Sequence, residues 1–188
     1  MVSEPHNSIT QGSIVDGVDF GFEESPLGII LSNECDFIND KLGYVLVACL
    51  VPASETICVS KEFMNRMEGV NENGEISKKK WDKLKDFFDD YIHNKGISRF
   101  YFINLSPVID APYMLVDFQH LVSLPANQLS SLECVAQLDS PYREQMMVHF
   151  ASYTARIPVD RVDDTTEIAK ALLPDGYVVK ERWQGDRS

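Results

Sequence analysis

Apolar residues in this chain gather into short runs of strand length and two longer stretches of helical spacing. Residues 1–10 are polar and without periodicity, and are expected to be loose. Gln11 to Phe20 sets Ile14, Val18 and Phe20 among polar residues and glycines that can bend or bulge a strand. Leu27 to Ser32 reads as a buried strand. Its apolar run stops abruptly in Ser32-Asn33-Glu34-Cys35-Asp36, at the head of a loop over 33–40. Tyr44 to Val51 is apolar on both faces, the mark of an interior strand, and Pro52 ends it.

Helical spacing follows Thr56. Ser60 caps a short helix to about Arg66, and Ser77 caps a longer one that ends near Asn94 with Gly96 just past it. Trp81, Leu84, Phe87, Phe88, Tyr91 and Ile92 recur at three and four and make one buried stripe. Lys78, Lys79 and Lys80 fall in the first turn, where the helix dipole disfavours cations, and read as a solvated end. Strand patterns return at Arg99–Leu105 and, beyond a turn over Pro107–Pro112, at Tyr113–Phe118. Leu121–Pro125 then leads through a link to the last large helix. Ser140 caps that helix, Pro141 takes its first position, Tyr142, Met146, Phe150 and Tyr153 trace its stripe, and Pro158 stops it. A short helix opening at Asp164 or Thr165 and a tail complete the chain.

These elements describe one α+β domain over 1–188. Strands from 11–56 and 97–125 form a small, strongly bent antiparallel barrel, and 57–96 is a helical insertion. A helix over 140–157 packs on the barrel, and 164–188 holds the C-terminal helix and tail.

Charge narrows the function more than composition does. The net charge is −12, and residues 1–60 carry nine acidic side chains against Lys41 alone. Such a surface repels phosphate backbones, so nucleic acid is disfavoured as a ligand. The four cysteines show no close pairing of the kind that holds zinc and read as reduced thiols. The N-terminus has neither the basic start nor the apolar core of a signal peptide. The longest apolar stretch, Tyr44–Ala53, is half of the roughly 20 residues a membrane helix needs. A soluble, cytoplasmic protein with no membrane association is expected.

Four blocks resemble the MazF/PemK toxin family, whose fold is an SH3-like barrel. They are Gln11-Gly12-Ser13-Ile14-Val15, Ile29-Ile30-Leu31-Ser32-Asn33-Glu34, the strand Val45–Ser54 with its proline turn, and Met114–Leu129. The resemblance implies an α+β chain whose SH3-like barrel is interrupted by the helical insertion. It also implies an RNA-cutting pair, a Thr or Ser at the end of the third strand and an Arg ahead of the second. Ser54 stands at the former position; Ser25-Pro26-Leu27 occupies the latter, and residues 1–60 contain no Arg. Without a cation, nothing stabilises the charge that builds on phosphorus. The chain also looks like bacterial and phage proteins that carry Ser-X-X-Cys-Asp and Pro-Tyr-Arg-Glu, here Ser32–Asp36 and Pro141–Glu144. That likeness implies a bacterial or mobile-element origin and no activity.

The candidate catalytic residues are Cys35, Asp36, Ser32 and Ser54; the candidate binding residues are Asn33, Arg143, Arg156 and His120. An adjacent carboxylate disfavours the Cys35 thiolate, so a nucleophilic Cys35 needs a histidine brought close by the fold. The simpler reading packs Cys35 as a small hydrophobe and lets Asp36 cap the loop. A mixed Cys35/Asp36/His120 metal site needs three distant segments to meet, and no metal or cofactor is expected. Arg143 and Arg156 read as salt-bridge partners of the acidic first sixty residues, or as groups that orient Asp36. His149 reads as a boundary packing residue, and His93 as a favourable charge at a helix C-terminus.

The expected function is a non-catalytic interaction or regulatory module of a toxin–antitoxin-like or phage-defence system, acting on a protein partner or as a homo-oligomer. The alternatives are a diverged MazF-like ribonuclease, a hydrolase using Cys35 or a metal at Cys35-Asp36, and an acidic mimic of nucleic acid.

Overall fold

In a computed structural model, described over residues 2–5, 8–22, 26–39, 43–68, 76–95, 99–109 and 113–155, the strand-length runs pair into one sheet. Its seven strands are β1 (Val2–Ser3), β2 (Ser13–Asp16), β3 (Gly28–Ile30), β4 (Tyr44–Pro52), β5 (Phe100–Ile103), β6 (Met114–Pro125) and β7 (Glu133–Leu138). Every pairing is antiparallel, in the order β1-β7-β2-β3-β4-β6-β5, and the sheet curls into a half-barrel. The helices are α1 (Glu34–Ile38), α2 (Ala53–Cys58), α3 (Lys61–Met67), α4 (Lys78–Ile92) and α5 (Tyr142–Thr154), with a 3-10 helix over Ala126–Ser131.

The doubly apolar run does become the interior strand. β4 lies between β3 and β6, and Val47, Ala48, Cys49 and Leu50 are fully buried. Gly28 is required where β3 begins, because a Cβ there would stand 2.7 Å from Val47 Cγ1 and 3.2 Å from the Phe20 ring. One side of the sheet gathers Ile14, Ile29, Leu50, Tyr101, Val116 and Met146 of α5 into the main core. Near β5 and β6 the opposite side packs Leu115, Phe100 and Phe102 on Ala53, Ile57 and Phe87. Both faces of that end of the sheet are therefore covered by helices.

α3 and α4 begin where the caps require. Ser60 accepts from the Phe63 N–H at 3.2 Å and Ser77 from the Lys80 N–H at 3.4 Å, bonds of a kind that stabilise a helix by about 1 kcal/mol. The α4 stripe is narrower than its spacing predicts. Leu84 and Phe87 are buried, contributing about 1.5–3 kcal/mol each, but Trp81 and Ile92 are half exposed at its two ends. On α5 the stripe holds at Met146, whereas Tyr142 is 43% exposed.

Five expectations need correction. Ser140 does not cap α5, whose N-cap position is Pro141 with no side-chain cap, so the proline precedes the helix instead of taking its first position. The loop over 33–40 contains α1. The chain does not leave Pro52 as a plain turn but enters α2 at once, with the Thr56 hydroxyl donating to the Pro52 carbonyl. The link after Pro125 holds the 3-10 helix and β7, which pairs with β2 and β1. Residues 1–10 are not all loose, because Val2 and Ser3 pair with Leu138 and Gln137 and the Ser3 hydroxyl donates to Asp139 at 2.7 Å. Arg156, Pro158 and the expected 164–188 helix and tail lie outside the described residues. No described helix is long and apolar enough to cross a membrane.

Candidate functional site

At the end of β3 the backbone settles the roles of several candidates. Leu31 N–H donates to Leu46 O at 2.9 Å, and the Ser32 hydroxyl then accepts the Leu46 N–H at 2.8 Å. Ser32 thus substitutes for the next ladder carbonyl and closes the strand end. Asn33 precedes α1, and its side-chain oxygen accepts from Gln11 Nε2 at 3.4 Å. Cys35 is exposed on α1, while its carbonyl accepts Asn39 Nδ2 at 2.6 Å. Asp36 is half-buried in the first turn, tied through its N–H to the Asn33 carbonyl at 3.1 Å.

Arg143 reaches this turn from the start of α5. Its Nη1 lies 3.4 Å from Glu34 Oε2, and its Nη2 donates to Glu144 Oε1 at 2.8 Å. The arginine stem lies over Gly12, just ahead of β2, where a Cβ would stand 3.0 Å from it and φ is +82°. Beneath it, buried Gln137 accepts the Ser13 hydroxyl at 2.7 Å and donates to Gln11 O at 2.9 Å. The fold therefore brings Asn33, Glu34 and Arg143 into one neighbourhood. Among the described residues Arg143 makes no polar contact with Cys35 or Asp36, and no group of His, Cys, Asp and Glu is placed to hold a metal. Ser54 is elsewhere, exposed on α2.

His120 belongs to a second cluster, built on an irregularity of β6. Leu121 pairs with Ala48 and Asp117 with Cys49, so Phe118, Gln119 and His120 form a bulge with no register partner on β4. Asp117 is 1% exposed. Arg99 grips its carboxylate with Nε and Nη2, Gln119 N–H donates to it at 3.0 Å, and His120 Nδ1 lies 2.6 Å from Oδ2. Burial alone would raise the Asp117 carboxyl, but the Arg99 and Gln119 hydrogen bonds outweigh it and hold the group below its usual range. Arg99 is correspondingly raised by its bond to Asp117, and lies over the Phe100 ring at 4.8 Å. Across the strand pair, burial and then the Asp117 charge push the Cys49 thiol up to about 11, so it is no nucleophile at neutral pH.

Chemically, this is an imidazole oriented through Nδ1 by a buried carboxylate, the arrangement that lets Nε2 exchange a proton. Phe22 meets the same ring edge-on at 5.5 Å. Arg99 and Asp117 were not among the expected site residues. The one signal in the sequence is a lone carboxylate inside the apolar run Met114–Phe118; its partner lies eighteen positions away, just ahead of β5.

A third feature lies at the sheet edge. Two cavities flank β5. One, of about 580 Å³, lies by Tyr101, Ile103, Leu138, Tyr142 and His149. The other, of about 710 Å³, lies by Ala53, Ile57, Cys58, Phe88 and Tyr113, with Ser54 on its lining. Ile92, Phe102 and Asn104 border both. Tyr101 is buried between β6 and α5, its phenol pushed up to about 12 by desolvation and by Tyr142, and its hydroxyl donates to the Tyr142 carbonyl at 3.2 Å. His149 packs its ring against Tyr101 and Phe118 at 5.6 and 5.9 Å.

Compared with protein-family models and with curated proteins, the chain matches none of them.

Proposed function

We propose that the protein is a non-catalytic interaction module whose partner surface is the β5 end of the sheet. The observation that carries this reading is the pair of cavities on either side of Phe102, bordered by half-exposed Ile92 and Tyr113. Apolar concavities beside exposed large side chains are what a protein partner fills. α2 and α4, from the segment between the strands, supply one wall. A photo-crosslinking residue placed at Tyr113 should trap a discrete adduct in cells that make the protein, while the same residue at Val148, exposed on α5, should not. Equal labelling at both positions would overturn the assignment.

The setting we favour is a toxin–antitoxin-like or phage-defence system in the bacterial cytoplasm, on an SH3-like, MazF-like barrel. Support comes from three of the resembling blocks falling on β2, β3 and β4, successive neighbours in the sheet. Ribonuclease activity is disfavoured by the missing arginine ahead of the second strand and by the acidity of residues 1–60.

A second reading rests on the Arg99–Asp117–His120 cluster. An imidazole held by a buried carboxylate fits a general base for hydrolysis, in which Nε2 takes a proton from water and the hydroxide attacks an ester. The leaving alcohol then recovers that proton. Turnover of p-nitrophenyl acetate with a pH dependence abolished in His120→Asn would favour it over the module. A rate equal to that of free imidazole would end it.

A further inference from the structure

If the β5 end of the sheet is the partner surface, its edge strand also shows how the partner is held. β5 is the edge strand of the sheet opposite β1, and its residues alternate between pairing with β6 and pointing away from it. Phe102 is one that points away. Its N–H donates to Asn94 Oδ1 at 2.6 Å and its carbonyl accepts Asn94 Nδ2 at 3.3 Å. A single primary amide thus occupies both backbone groups, as a neighbouring strand would. Asn94 sits just past α4 with φ at 50°, a left-handed conformation that asparagine tolerates better than most residues. The edge is closed by a side chain, and a side chain can be displaced.

The two cavities give that displacement a purpose. Successive side chains of a strand point to opposite faces. One cavity lies on the face of Tyr101 and Ile103, the other on the face where Phe102 packs against Ala53 and Ile57. An extended peptide laid beside Phe102 therefore sends neighbouring side chains alternately into the two. Among the described residues neither lining contains Lys, Arg, Asp or Glu, so a buried cation would find no carboxylate there. Tyr142, Gln145 and His149 give the first cavity polar atoms suited to an aromatic side chain with a polar tip.

We propose that an extended segment of a partner protein, with apolar and aromatic residues in succession, displaces the Asn94 amide and adds to the sheet at β5. Backbone pairing supplies register and the cavities supply specificity.

The test is selection of a randomised eight-residue phage-displayed peptide library on the full chain and on Asn94→Gly, a variant that keeps the left-handed φ and removes the amide. Enriched peptides should bind Asn94→Gly about tenfold more tightly than the wild type, since no hydrogen bonds need be broken first. They should lose binding when the central backbone nitrogen is methylated. Ser54→Trp and Gln145→Trp, at exposed positions that line the two cavities, should each block binding, with circular dichroism confirming the fold. Peptides blocked by those tryptophans but indifferent to N-methylation and to Asn94→Gly would leave the interaction surface standing and overturn strand addition. Peptides indifferent to both tryptophans, or no enrichment on either protein, would overturn the surface as well. Self-association of Asn94→Gly in sedimentation would assign the edge to a second copy instead of a partner.

Discussion

The turn after β3 and the bulge of β6 use the same chemistry in opposite surroundings. Each sets a carboxylate near an arginine from a distant segment. At the turn, Glu34 and Arg143 meet at 3.4 Å with the Glu34 side chain 43% exposed, and Cys35 beside them is exposed. At the bulge, Asp117 is out of water altogether, and four hydrogen-bond or ion-pair contacts from Arg99, Gln119 and His120 surround it. An exposed pair is worth little because water competes for both charges, whereas a buried carboxylate that loses its partner keeps its desolvation cost. The two regions should therefore respond very differently to the same kind of substitution.

The largest effect should come from the bulge. Arg99→Ala strands a buried carboxylate and should cost about 3 kcal/mol in urea unfolding, and Asp117→Ala about 3–5 kcal/mol. A loss no larger than that of Glu34→Ala at the turn would break the contrast. Acid should sharpen it. The folded Asp117 carboxyl lies below its unfolded value of about 3.9, so its contribution is complete above that pH and is lost as pH falls through the folded pKa. Unfolding curves between pH 2 and 5 should accordingly be shallower for Asp117→Asn than for the wild type.

Arg143→Ala should have an intermediate effect, about 1 kcal/mol. The Glu34 pair contributes little, but the arginine stem covers Gly12 and that packing is lost. A melting temperature unchanged from the wild type would show that the stem is not needed. Smallest of all, Cys35→Ser should lie within about 0.5 kcal/mol, since an exposed side chain leaves no cavity. In native protein at pH 8, iodoacetamide should modify Cys35 and spare buried Cys49; rapid loss of the Cys49 thiol would mean that β4 is open to solvent.

Much of this was legible along the chain, and the parts that were not share a cause. β4 announced itself because every residue from Val45 to Val51 is apolar, and α3 and α4 because a serine cap precedes each and a regular stripe follows the second. β7 was hidden because Gln137 interrupts its apolar pattern; its bonds to Ser13, Gln11 and the Leu138 carbonyl let that amide be buried. β1 is too short to show any period and exists through pairing with β7. Helix α1 is only five residues long, so although Asn33 stands at its N-cap, no apolar period in the 33–40 stretch marked it as a helix.

The same division holds for the candidate sites. The sequence by itself placed the Ser32–Asp36 cluster at a strand end and gave Arg143 an acidic partner from the first sixty residues, since an apolar run followed by polar residues is a local signal. Tertiary structure decided what each of those side chains does, making Ser32 a ladder acceptor and leaving Cys35 on the surface. It alone assembled Arg99 with Asp117 and Asn94 with Phe102, because both pairs depend on where β5 lies in the sheet. Periodicity reports which face a residue takes; only strand order and register report which distant residue it meets.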